Sequence, residues 1–344
     1  MRWCSLCALE SGLWDRRRFL LALAHAGLAV GLVPRSAGAF SIYDESGDEK
    51  IGRETDPEIL KRFGYYEAPD LQNYVAQVGQ RVVAASDTRF SFQFKVVDHP
   101  MINAMALPGG FVYITRGILG EMNDEAQLAS ILGHEATHVN SRHAAKLMTK
   151  ALGTQIATLL GVGAAAAAKS GTLATGIAMI SSHVTNYMLL GYGREYELEA
   201  DEVGLRYARR AGYDPRRGVV FMRFMRRMEI LRGQQIYHAL DASHPDTAMR
   251  IAKADTMASL LAAEGGAMEV RADEFRSHLD GMRYGEAKEQ RRIRIYVVKP
   301  GDTLASIARS ELRDEGRRFE LAGVNDLKDA AALKPGSRLK LVVN

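Results

Sequence analysis

Residues 134–138 read His-Glu-Ala-Thr-His, inside a stretch whose pattern predicts one long helix from about 124 to 149. Asn123 is its expected N-cap, with Asp124 and Glu125 suited to the positive end of the helix dipole. Helical positions four apart lie on one face, so the His134 and His138 rings can both reach one divalent cation. Glu135 leans toward the same cavity without being a ligand. It is the candidate general base, able to take a proton from water and return it to a leaving amine. A pair of solvated or core histidines would leave Glu135 unexplained. His143 falls off the ligand face of a continuous helix and reads as structural; His99, His183, His238 and His278 carry no pattern.

A catalytic zinc keeps three protein ligands and one open position, so the third ligand must come from elsewhere. A second strong helix, from about 193 to 211, carries Arg-Glu-Tyr-Glu-Leu-Glu-Ala-Asp at 194–201. On it Glu197 and Asp201 share a face. Glu197 can close a metal site while Asp201 orients a ligand imidazole. Gly204, one turn on, would let the two helices approach closely. An acidic solvated face accounts for Glu195, Glu199 and Glu202, and spacing alone does not choose between Glu195, Glu197 and Glu199 as ligand.

The remaining chain supplies the frame. Residues 53–85 read as helical, 90–97 alternate as a strand, and 110–115 form a second strand entered through Pro108-Gly109-Gly110. Gly110, Phe111, Val112 and Tyr113 are expected at the sheet edge beside the metal, where an extended peptide could add by backbone pairing. Residues 152–190 are Gly/Ala-rich and apolar; they read as helices packed on protein or lying peripherally on a bilayer.

Taken together, Asn103-Ala104-Met105-Ala106 with Pro108-Gly109-Gly110, Asp124-Glu125 leading into His134-Glu135 and His138, Glu197-x-Glu199-Ala200-Asp201-x-x-Gly204, and His244-Pro245 followed by Arg250 resemble the HtpX/BepA-type zinc metallopeptidases over residues 102–250. That family also holds the CAAX prenyl proteases. The resemblance implies Glu197 as third ligand, one Zn2+ per chain, and support of the site by Asp201 and Arg250. It also implies a His244 that either occupies the open position and holds the enzyme off or helps stabilise an oxyanion. Its implied substrates are unfolded or misassembled envelope proteins.

Residues 293–344 alternate, turn at Lys299-Pro300-Gly301-Asp302, carry two short helices, and end in a strand holding Leu339 and Leu341. This βααβ layout resembles a LysM domain, which implies glycan binding, here to peptidoglycan, through the turn at Gly301, Asp302, Thr303 and Leu304. The segment Glu311–Glu320 is unusually charged for that family.

Residues 1–39 read as an address. Arg16-Arg17-Arg18-Phe19-Leu20 precedes an apolar run to Val33 and the small residues Ala37-Gly38-Ala39, the pattern of a twin-arginine export signal cut after Ala39. Cys4 and Cys7, the only cysteines, fall within it, so disulfides and cysteine ligands are not expected in the exported protein. The net charge of +4 divides into +3 over 1–39, −4 over 40–290 and +5 over 291–344. A mildly acidic middle between basic ends does not point to nucleic acid.

The expected architecture is therefore α+β: a mainly helical zincin-type metallopeptidase domain with a small sheet over 40–265, a helical linker over 266–290, and a LysM-like domain over 291–344. The expected activity is an exported, periplasmic or envelope zinc endopeptidase. Two rivals are a peptidoglycan-associated cell-wall hydrolase and a proteolytically silent glycan-binding or chaperone-like envelope factor.

Overall fold

A computed structural model describes residues 44–150, 192–232, 247–328 and 332–344. The expected export signal, Cys4 and Cys7, the apolar stretch 152–190 and His244 lie outside the described residues.

The stretch read as one helix over 53–85 is two. Helix α1 spans Glu45–Phe63 and stops at Gly64, whose φ of 76° lets its amide return to Leu60 O; α2 spans Pro69–Ala84. Strands β1 (Gln93–Val97), β2 (Ala104–Leu107) and β3 (Phe111–Thr115) form one sheet in the order β1-β3-β2. β1 runs parallel to β3, with Phe94 opposite Val112; β2 runs antiparallel to it, with Met105 opposite Tyr113.

Alternation then sorts the side chains. Phe94, Val96, Ala104, Ala106, Val112 and Ile114 face the main core, which they share with Tyr74, Val75 and Val78 of α2. Met105, Leu107, Phe111 and Tyr113 face a second cluster with Ile51, Ile59 and Phe63 of α1. β3 is thus the central strand and buried throughout. Gly110, Phe111, Val112 and Tyr113 are not at an edge; both sides of β3 are already paired, so no peptide can add there. The outer strands of the sheet among the described residues are β1 and β2, and β2 is the one that packs beside α4.

After the short α3 (Arg116–Glu121), α4 spans Glu125–Asn140. Its N-cap is Asp124, whose carboxylate accepts from Gln127 N, one position later than expected. The expected run to 149 is broken: α4 ends at Ser141, Arg142 takes a left-handed φ of 52°, and helix resumes over 143–150. An ion pair to Asp48 holds Arg142 there. Helix α5 (Arg194–Arg210) packs along α4 and stops at Gly212, whose φ is 91°. Helices α6 (Arg216–Arg232) and α7 (Thr247–Ala263) complete the peptidase region.

The segment expected as a helical linker is only briefly helical, at α8 (Ala272–His278). Its Phe275, Leu279 and Met282 are buried in the main core, so it is part of the packed body rather than a spacer. The C-terminal module has the βααβ order expected: β4 (Arg292–Val297), α9 (Leu304–Leu312), α10 (Arg318–Val324) and β5 (Arg338–Val343), with β4 and β5 antiparallel. Leu304, Ile307, Leu321, Leu339 and Leu341 make its own core, while Ile293 joins the main one. Lys340 fixes the module further. Its buried ammonium donates to Gly120 O and Met122 O, both at 2.7 Å.

Candidate metal centre

The site is built where α4 crosses α5. Gly133 and Gly204 carry no side chains at the crossing, and the backbones come within contact distance; a Cβ on Gly204 would lie 2.6 Å from His134 N. That approach puts Glu197, two turns earlier on α5, opposite both histidines. His134 Nε2 lies 3.1 Å from His138 Nε2 and 3.5 Å from Glu197 Oε2, and His138 Nε2 lies 3.7 Å from Glu197 Oε1. Donors bonded to zinc at about 2.0–2.1 Å in a tetrahedron stand about 3.3 Å apart, so these separations suit one ion. All three residues are buried. Of the three glutamates that spacing left open, Glu195 is exposed and Glu199 turns to His143, which leaves Glu197.

The electrostatics agree. Burial works against a charged His134, but contacts from Asp201 and Glu197 outweigh it and push the ring up to about 10. Burial also opposes an ionised Glu197, yet His134, His138 and Arg250 hold its carboxyl well below the usual range. A field that retains a proton on a buried imidazole and a charge on a buried carboxylate equally favours a divalent cation between them. Glu135 differs: burial pushes it up to about 7, and its Oε1 is buried without a hydrogen-bond partner among the described residues.

Each histidine is held from behind, by different groups. His134 Nδ1 lies 3.2 Å from Asp201 Oδ1, and Asp201 takes a two-pronged contact from Arg250, with Nε and Nη2 each at 2.8 Å. Arg250 Nη2 also lies 3.2 Å from Glu197 Oε2.

His138 Nδ1 meets His143 Nδ1 at 2.8 Å. A continuous helix would carry His143 away from the ligand face; the left-handed turn at Arg142 brings it back. Arg142 is not a glycine or asparagine, so no sequence signal marks that turn. Tyr192 was also missed. Its ring stacks on His138 with centroids 4.1 Å apart, its amide donates to Glu197 Oε1 at 3.2 Å, and its hydroxyl donates to Ala106 O at 3.2 Å. Ala106 belongs to β2, an outer strand of the sheet among the described residues, so that edge lies beside the histidines.

In the C-terminal module, Asp302 Oδ2 accepts from Lys299 N and Tyr296 OH, Thr303 caps α9, and Gly301 takes a φ of 84°. Leu304 is buried in the module core and cannot touch a glycan; Gly301 and Thr303 remain exposed.

Two histidines from α4, a glutamate from α5 and a buried Glu135 with one carboxyl oxygen unpartnered among the described residues define a zinc metallopeptidase. The family comparison agrees: residues 69–258 match peptidase family M48, more than half of the chain, and the chain belongs to that family. Residues 296–311 match the LysM domain. Among curated proteins, the chain is 30% identical over 166 residues to a β-barrel assembly-enhancing protease of Escherichia coli (strain K12), covering 45% of this chain and 32% of that one. It is 28% identical over 211 residues to the mitochondrial metalloendopeptidase OMA1 of Schizosaccharomyces pombe, covering 60% and 59%. It is 31% identical over 176 residues to human mitochondrial metalloendopeptidase OMA1, covering 49% and 33%. The chain thus spans less than two thirds of the length of these relatives.

Proposed function

We propose that this protein is a zinc-dependent endopeptidase of the cell envelope that cleaves misfolded or misassembled envelope proteins. The convergence of His134, His138 and Glu197, with Glu135 alongside, carries this reading. In it the three residues hold one zinc ion, which when bound polarises the scissile carbonyl and activates water for attack. Glu135 takes the proton of the attacking water at its unpartnered carboxyl oxygen and delivers it to the leaving nitrogen. Burial, by raising its proton affinity toward neutrality, suits it to both halves of that transfer. An extended substrate backbone pairs with the outer edge of β2, the only sheet edge next to α4 among the described residues. Such pairing reads main chain rather than side chains, which fits substrates defined by being unfolded.

Three observations support the envelope as the place of action: the export-type segment at 1–39, the LysM match, and the kinship with an assembly-enhancing protease. Among the described residues no helix is long and apolar enough to cross a membrane. The C-terminal module offers peptidoglycan the exposed turn around Gly301 and Thr303.

Glu135→Gln is expected to keep its zinc while turnover of an unfolded protein such as casein falls by about 10²- to 10⁴-fold, the scale of a lost proton-transfer group. Surviving turnover would remove Glu135 from this role. The LysM match favours one other reading, a cell-wall hydrolase; clearing of purified sacculi with casein left intact would establish it instead.

A further inference from the structure

His134 and His138 are supported unequally. The acceptor behind His134 is a carboxylate, locked by Arg250; the group behind His138 is another imidazole. His143 is fully buried, and among the described residues the partner of its Nδ1 is the Nδ1 of His138, 2.8 Å away. Two ring nitrogens at that distance share one proton, donated by one and accepted by the other. If His138 is to offer Nε2 to a cation, its proton must sit on Nδ1. The His143 Nδ1 then has to be the bare acceptor, and the His143 proton has to sit on Nε2. That nitrogen lies 3.3 Å from Glu199 Oε2, an electrostatic contact without the alignment of a hydrogen bond, and the other Glu199 oxygen accepts from Ser141 Oγ at 2.5 Å. The Glu199 carboxylate thus favours the His143 proton on Nε2, and that order leaves Nε2 of His138 free to bind metal.

We propose that His143 is a positioning residue for the metal centre: it accepts the Nδ1 proton of His138, and Glu199 fixes the tautomer in which it can do so. This rests on the metal site assigned above. The kink at Ser141 and Arg142 is what makes the relay geometrically available, since a straight helix would carry the residue five places after His138 to another face. The stacked Tyr192 ring holds His138 flat while His143 sets its rotation about that plane.

The test is zinc affinity, measured on the full chain by competition with a chromogenic chelator, with circular dichroism to confirm folding. His143→Leu keeps bulk and removes the acceptor; it is expected to weaken zinc binding about 10- to 100-fold. His143→Asn keeps an acceptor at the Nδ1 position and is expected to stay within about threefold of wild type, a small part of that range. Glu199→Leu releases the tautomer and is expected to cost about tenfold. Its side chain is 41% exposed, so this variant reads the relay even where His143→Leu fails to fold. Unchanged affinity in His143→Leu or Glu199→Leu overturns the proposal. So does His143→Asn binding as weakly as His143→Leu, which would make the effect one of packing. His134→Ala serves as control: if it bound zinc as wild type does, the metal site itself would be wrong, a failure separate from that of the relay.

Discussion

Gly133 and Gly204 meet backbone to backbone at the crossing of α4 and α5: a Cβ on Gly133 would stand 2.6 Å from Gly204 O, and one on Gly204 would stand 2.6 Å from His134 N. Both obstacles are main chain, which cannot rotate aside. Gly204→Ala is therefore expected to push α5 outward, moving Glu197 away from the histidines. The expected cost is about 1–3 kcal/mol of stability, as for other overpacked contacts, together with weaker zinc binding. Gly323→Ala is the comparison. It sits in α10 with nothing within 4 Å of its would-be Cβ, so alanine there should gain up to about 1 kcal/mol from helix propensity. Thermal unfolding of the two variants checks both signs; a Gly204→Ala protein as stable and as zinc-loaded as wild type would contradict the crossing argument.

Asp201 has two duties, holding Nδ1 of His134 and occupying Arg250. Asp201→Asn keeps an acceptor for the ring but gives up the charge, so Arg250 loses its two-pronged partner while still 3.2 Å from Glu197. Its guanidinium then competes with the metal for the Glu197 carboxylate. Zinc affinity is expected to fall about 10- to 100-fold, on the scale of other lost outer-shell partners. Arg250→Gln in the Asp201→Asn background should recover part of that loss, since it removes the competitor. Isothermal titration with zinc on the single and double variants distinguishes this from simple loss of the ring's support, for which the double variant would be no better than the single.

The parts of this site that sequence pattern reveals are those written in one helical period. His134, Glu135 and His138 are legible from spacing alone, as are Glu197, Asp201 and Gly204 as one face of α5. Choosing Glu197 over Glu195 and Glu199 took a family resemblance first and then the three-dimensional crossing, because all three glutamates are equally acidic and sit within one turn or so of each other. His143 was not legible: its position depends on a left-handed φ at Arg142, an arginine held by Asp48 from the far end of the domain. The misplaced sheet edge has a similar cause. The alternating run at 111–115 marks a strand but not its neighbours, and the four-residue β2, apolar on both faces, lacks the alternation that would have announced it. The absence of a true linker was equally hidden, since Phe275, Leu279 and Met282 reach the main core from a segment too short and irregular to show a periodic face.

Lys340 gives the fold a pH dependence of definite sign. Its ammonium is buried between the module and the carbonyls of Gly120 and Met122, and burial lowers its pKa to about 7 from an ordinary value near 10.5. Between those two values the unfolded chain holds a proton that the folded chain has released. Stability tied to this group must then rise with pH from about 7 to 10.5, and stay level below 7, where both states are protonated. Lys340→Met fills the site with an uncharged side chain of similar length and abolishes that slope. The two carbonyls lose their donor in exchange, at about 1–3 kcal/mol each where water cannot replace it. Urea unfolding of wild type and Lys340→Met at pH 7, 8 and 9 measures the difference. The wild type should gain on the variant as pH rises; a gap that stays constant or narrows would mean that Lys340 keeps its proton throughout and that the contact is a permanent ionic tie between the module and the entry to the catalytic helix.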